Sequence, residues 1–190
     1  MSKGKIVILS GPSGSGKTTL HNKLLKSRRL KGRLVKSISA TTRSPRAGER
    51  RGVDYIFLTQ PRFLAKKEAG YFLEWQKVFD NYYGTPKNAV ERLLKEGKNV
   101  LLCIDVKGAK VVARQHPKSI RIFIKVPSAM LLKKRLMARG TESRSDLNLR
   151  LETARKEMKE ARNYHHTIIN DNLSQAIRKL ETVVLKALNT

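Results

Sequence analysis

Cysteine occurs once in the 190 residues, at Cys103. That excludes an internal disulfide framework and a cysteine-built zinc site, and it fits a reducing compartment. Acidic side chains are scarce: 15 Asp and Glu face 41 Lys and Arg, for a formal charge of +26. No apolar run approaches the roughly 18 residues that a spanning helix needs. Between Met-Ser-Lys-Gly-Lys and Gly11 stand only five apolar or small residues, too short a stretch for the core of a signal peptide. These absences predict a soluble, cytoplasmic protein with no membrane partner. The four histidines show no metal-ligand spacing.

The charge is unevenly placed. Residues 1–53 hold 14 basic side chains and one acid, Glu49, whereas residues 142–190 hold nine against seven. Such a surplus favours polyanionic partners and carries no information about fold. With 39% apolar residues, the chain is long enough to bury one sizeable core.

The hydrophobic pattern predicts strands at 6–9, 34–39, 53–58, 71–78, 99–105, 119–126 and 167–170. It predicts helices at 18–29, 61–69, 86–96, 107–115, from 128 to about 139, 147–163 and 173–188, with 41–52 and 140–146 irregular. Alternating strands and helices imply an α/β domain with a parallel sheet covered on both faces, interrupted by a mainly β insertion over residues 35–85.

Gly11-Pro12-Ser13-Gly14-Ser15-Gly16-Lys17-Thr18 fits G-x-x-x-x-G-K-[ST] at every fixed position. Glycines let backbone amides converge on one anion, and the following helix adds the positive end of its dipole. Lys17 is then expected to reach the β- and γ-phosphates and the Thr18 hydroxyl to hold Mg²⁺. Residues Gly11 to Thr18, with Thr19, form the expected ATP-binding set. Asp105, ending a buried strand, is expected to serve the metal directly or through water; capping the next helix is the other reading, and the two are compatible.

The middle of the chain narrows the acceptor. Ser39-Ala40-Thr41-Thr42-Arg43-Ser44-Pro45-Arg46-Ala47-Gly48-Glu49, Gly52-Val53-Asp54-Tyr55, Phe72-Leu73-Glu74-Trp75 and Asn81-Tyr82-Tyr83-Gly84-Thr85-Pro86 closely resemble the acceptor region of guanylate kinases. The resemblance runs on through Ile104-Asp105-Val106, Gly108-Ala109, Arg135-Leu136, Arg139-Gly140-Thr141 and Asn170-Asp171, and so covers nearly the whole chain. It implies a P-loop NTPase three-layer sandwich with a small mixed-β GMP-binding lobe and a short lid. The core would be 1–34, 86–127 and 151–190, the lobe 35–85 and the lid 128–150. It implies Mg²⁺-dependent transfer of the ATP γ-phosphoryl group to GMP. Arg43, Arg46, Tyr55 and Tyr83 would hold the GMP phosphate; Ser39, Glu74 and Thr85 would read guanine, with Asp105 close to both base and metal. Lys17, Arg43, Arg135, Arg139 and Arg150 would be the catalytic cations, and Asn170 would contact adenine.

The residues carry chemical reasons of their own. Arg43 and Arg46 in a Pro-restrained loop form a guanidinium fork for a phosphate dianion, although a solvated basic loop has the same local sequence. A carboxylate such as Glu74 only accepts hydrogen bonds, so it pairs with guanine N1–H and the 2-amino group and opposes adenine. Cys103 stands where many members of the family carry an acid, which implies metal handling by Asp105, Thr18 and water alone and a reduced activity. Three other readings compete: a kinase-like binding module, which the complete phosphate loop opposes; a P-loop kinase for a phosphorylated sugar, which Glu74 opposes; and a nucleic-acid binder, which rests on charge alone.

Overall fold

Strand β1 (Ile6–Ser10) is apolar up to its last residue and buried along its whole length, so it is the centre of the molecule. The computed structural model describes residues 3–137 and 144–189, with side chains from 147 onward in the second segment. Parallel pairing places β7 (Asn99–Cys103) on one side of β1 and β8 (Ile120–Lys125) on the other. Beyond them lie β2 (Leu34–Lys36) and β9 (His166–Ile169), giving an all-parallel order β2-β7-β1-β8-β9.

Successive side chains of a strand point to opposite faces, and each face has its own cover. Val7 and Leu9 pack with Leu20 and Leu24 of α1 (Lys17–Leu25) and with Leu180 and Val184 of α7 (Leu173–Asn189). Ile6 and Ile8 pack with Val90 and Leu94 of α3 (Lys87–Lys95) and with Ala109 and Val112 of α4 (Val106–Gln115). Each fully buried aliphatic side chain contributes roughly 1.5–3 kcal/mol of transfer free energy, which makes the three-layer sandwich the main store of stability.

The inserted segment forms a second, mixed sheet of β3 (Ala40–Thr41), β4 (Ile56–Phe57), β5 (Phe72–Val78) and β6 (Asn81–Pro86), in the order β4-β3-β6-β5. Helix α2 (Gln60–Glu68) closes it, with Phe63 stacked on Phe72 at 4.5 Å between ring centroids. Two further helices, α5 (Ala129–Met137) and α6 (Arg144–Met158), share a small apolar cluster of Val126, Leu132, Leu136 and Ala154.

Several boundaries differ from the sequence pattern. The expected strand over 53–58 shrinks to β4, because Asp54 folds back: its carboxylate accepts from the Arg50 amide at 2.9 Å, and its own amide donates to the Arg50 carbonyl at 2.9 Å. The strand expected over 34–39 ends at Lys36, and the helix expected over 18–29 ends at Leu25. The segment expected to be irregular is already helical from Arg144, and the long helix expected to end at 163 changes to a 3₁₀ turn over Lys159–Asn163. The part of the expected lid over 138–143 lies outside the described residues.

Candidate active site

The register Leu9↔Cys103 between β1 and β7 brings the turn after β1 beside the turn after β7. Both lie at the carboxyl ends of the parallel strands, where open α/β sheets bind ligands. The turn after β1 is the glycine loop. Gly11 has φ 143°, and a Cβ there would overlap the Ile124 carbonyl oxygen, so only glycine lets the loop cross so close to β8. Gly16, at φ 86°, is the N-cap of α1, and its open side is filled by the Asn170 amide. The Lys17 ammonium spans the mouth of the loop, donating to the carbonyls of Gly11 at 2.6 Å and Pro12 at 2.8 Å.

Gly11, Ser13, Gly14, Gly16, Lys17 and Thr18 line one wall of a single cleft. Asp105 faces them. Its Oδ1 accepts the Gly108 amide at 2.7 Å, so it caps α4 and lines the cleft at once. Burial raises its pKa, against the lowering effects of the Gly108 amide and Lys17. The hydroxyl of Thr18 and the carboxylate of Asp105 are hard oxygen donors of the kind that suit Mg²⁺. Among the described residues no group of three or more His, Cys, Asp or Glu is placed to hold a metal ion. The donor set therefore fits an ion that brings most of its ligands with it as phosphate and water.

The opposite wall comes from the second sheet. Arg43 donates from Nη2 to both carboxylate oxygens of Glu49, at 2.9 and 3.0 Å, and Glu49 also accepts the Arg46 amide at 2.8 Å. Burial acts to raise the Glu49 pKa, but the Arg43 hydrogen bond and the Arg46 amide outweigh it and hold the carboxyl below its ordinary value. The Arg43 guanidinium lies 5.5 Å from the centre of the Tyr55 ring, and Tyr55 meets Tyr83 edge-on at 6.3 Å. Burial pushes the Tyr55 hydroxyl up to about 12, so it is a hydrogen-bond donor at neutral pH.

Glu74 is 5% exposed, an uncommon place for a carboxylate. The β5–β6 register sets it opposite Thr85, whose hydroxyl donates to Oε1 at 2.6 Å. Burial raises its pKa to about 7, the Thr85 bond opposes the rise and Asp105 adds to it. Ser39, Arg43, Arg46, Tyr55, Glu74 and Tyr83 all line the cleft.

Not every expected site residue does. Thr85 is fully buried and reaches the cleft only through Glu74. Asn170, expected at the adenine, is 4% exposed; its side chain donates to the Ser15 carbonyl at 2.8 Å, and its own carbonyl accepts from Arg135 Nη2 at 2.9 Å. Asn170 and Arg135 thus brace the phosphate loop in this structure. Pro12, Ser15 and Thr19 belong to the loop and to α1 without facing the cleft, and Arg139 lies outside the described residues.

Two contributors were not read from the sequence. Helix α6 sends Thr153 and Glu157 into the cleft from the same face as the expected Arg150. Burial raises the Glu157 pKa to about 7; the positive charge of Lys17 and the Ser13 amide oppose the rise and the negative charge of Asp105 reinforces it. The spacing i, i+3, i+7 from Arg150 was the available signal. The other is Phe79 in the β5–β6 turn, which has φ 53° and lies under the Arg150 guanidinium at 4.4 Å.

The guanylate kinase family model matches residues 3–187. The guanylate kinase of Clostridium perfringens strain 13 is 43% identical over 183 residues, covering 96% of this chain and 83% of that protein. The guanylate kinase of Rickettsia felis is also 43% identical over 183 residues, covering 96% and 94%. The crystal structure of guanylate kinase from Anaplasma phagocytophilum superposes with a TM-score of 0.82 at 30% identity, covering 100% of this chain and 89% of that one. A glycine loop and a buried carboxylate share one cleft, and the likeness spans nearly the full chain, so this chain belongs to the guanylate kinase family.

Proposed function

We propose that the protein transfers the γ-phosphoryl group of ATP to GMP, giving ADP and GDP, and to dGMP, giving ADP and dGDP, in the cytoplasm with Mg²⁺ as cofactor. The observation that carries this reading is the cleft itself. A glycine loop built for phosphates forms one wall and the Glu74–Thr85 pair forms the other.

The glycine loop and Lys17 hold the ATP phosphates, with Arg135 and Asn170 supporting the loop. Arg43, Arg46, Tyr55 and Tyr83 hold the GMP phosphate, and Ser39 and Glu74 read the base, Glu74 steadied by Thr85. Thr18 and Asp105 would hold Mg²⁺, which would supply charge neutralisation during the transfer. No general base is required, because the second pKa of a phosphate monoester is near 6 and the attacking oxygen is already ionised at neutral pH. What remains is positioning and charge stabilisation by Lys17, Arg43, Arg139 and Arg150. Water is the competing acceptor, so the lobe of residues 35–85 and the lid of 128–150 close over the core of 1–34, 86–127 and 151–190 only when both nucleotides are bound.

Two carboxylates share the groups proposed for substrate anions: Glu49 pairs with Arg43, and Glu157 feels Lys17 and the Ser13 amide. Substrates displace or join these contacts. A coupled ADP-release assay over GMP, dGMP, AMP, UMP and CMP tests the reading; ATP consumption that no nucleoside monophosphate stimulates would overturn it.

A further inference from the structure

Glu74 does not hold its position by Thr85 alone. Its Oε1 is tied to Thr85, and its Oε2 rests on Gly108 in the first turn of α4. A Cβ on Gly108 would overlap Oε2 and stand 3.1 Å from Cδ. Gly108 is buried, and its amide donates to the Asp105 carboxylate that caps α4. The helix behind it is anchored by buried Val106, Ala109 and Val112. The softest thing a methyl group there meets is therefore the tip of the Glu74 side chain.

We propose that Gly108 is a specificity-determining residue, whose missing side chain is the seat that fixes the Glu74 carboxylate at the angle needed to read the base. The inference rests on the guanine role given to Glu74 above. Glycine in a helix is otherwise disfavoured relative to alanine, and Gly108 lies in the helical range of α4 rather than among the glycines of positive φ. Backbone strain does not explain glycine here; the space taken by Glu74 does. Gly108→Ala should thus keep the fold, keep the phosphate loop and misdirect one carboxylate.

The test is a cycle of Gly108→Ala in the wild-type and Glu74→Ala backgrounds. It is read by calorimetric binding of GMP and IMP without ATP, and by KM for both nucleotides in turnover. IMP keeps N1–H and lacks the 2-amino group, so the GMP-to-IMP ratio reports the aim of the carboxylate. Losing a hydrogen bond to a charged group should weaken GMP binding by about tenfold to a hundredfold in Gly108→Ala. IMP should lose less, with KM for ATP and the melting temperature retained. With Glu74 already alanine the added methyl has nothing to displace, and the second substitution should cost less than about twofold. Equal cost in both backgrounds would assign Gly108 a structural role in α4 and overturn the proposal, as would Gly108→Ala binding GMP like wild type. Binding that follows the predicted pattern without any turnover would keep this inference and remove the proposed reaction. Wild type that binds no GMP would remove both.

Discussion

At the residue scale, the burden falls on a few groups that the fold holds in costly places. Lys17 closes the glycine loop and is proposed to meet the ATP phosphates, so Lys17→Ala should lower kcat by about 10²-fold or more while circular dichroism and the melting temperature stay unchanged; near-normal turnover would remove it from the mechanism. Arg43→Ala should behave likewise, with KM for GMP also raised. Glu74 must be ionised to accept two guanine donors, and burial holds its pKa at about 7. KM for GMP should therefore climb as pH falls below 7. Stability runs the other way: a carboxyl whose folded pKa lies above its unfolded value of 4.5 contributes stability at low pH that is lost as pH rises towards 7. Glu74→Gln should consequently melt higher than wild type at pH 8, and the gap should close near pH 5. The phosphate loop was legible from motif spacing alone, because spacing fixes which atoms a loop can present, whereas Glu74 and the Arg43–Arg46 pair stood out only through the resemblance to guanylate kinases. The Gly108 seat was not legible, since it depends on where Glu74 ends up across two sheets.

At the element scale, the strands and helices of the core follow from uninterrupted apolar runs, and the sequence pattern finds them to within a few residues. Segments that close on themselves escape it. The turn at 51–54 is held by Asp54 and Arg50, and no two-residue alternation encodes that. Helix α6 was expected, yet the direction of its inner face was settled only by packing against α5 through Leu132, Leu136 and Ala154. That packing aims Arg150, Thr153 and Glu157 at the loop after β1. Phe79 bears the weight of the Arg150 guanidinium from the far side of the cleft. A cation–aromatic contact of this kind contributes about 0.5–2 kcal/mol. Phe79→Ala should loosen α6 against the hairpin, seen as faster amide exchange in α6, and should lower kcat more than KM for ATP; unchanged exchange would separate the two elements.

At the scale of the whole molecule, the positive charge exceeds what the cleft uses. Lys17, Arg43, Arg46 and Arg150 line the cleft, and with the expected Arg135 and Arg139 they make only six of the 41 basic residues. Lys23, Lys26, Arg28, Arg29, Lys31 and Arg33 are all exposed around the end of α1, in a stretch without an acid. Retention on heparin should fall steeply with added salt, and Arg28→Glu with Arg29→Glu should weaken it without changing turnover; retention indifferent to salt would contradict an electrostatic origin. The architecture, by contrast, suits the proposed reaction: the parallel sheet carries the phosphate loop and the inserted sheet carries Glu74, the carboxylate proposed to read the base. The most direct measurement of that claim is kcat/KM for GMP against AMP with ATP as donor. A buried acceptor left facing adenine N1 is penalised by a few kcal/mol, so GMP should be favoured by about 10²-fold or more. Equal values for AMP and GMP would contradict it.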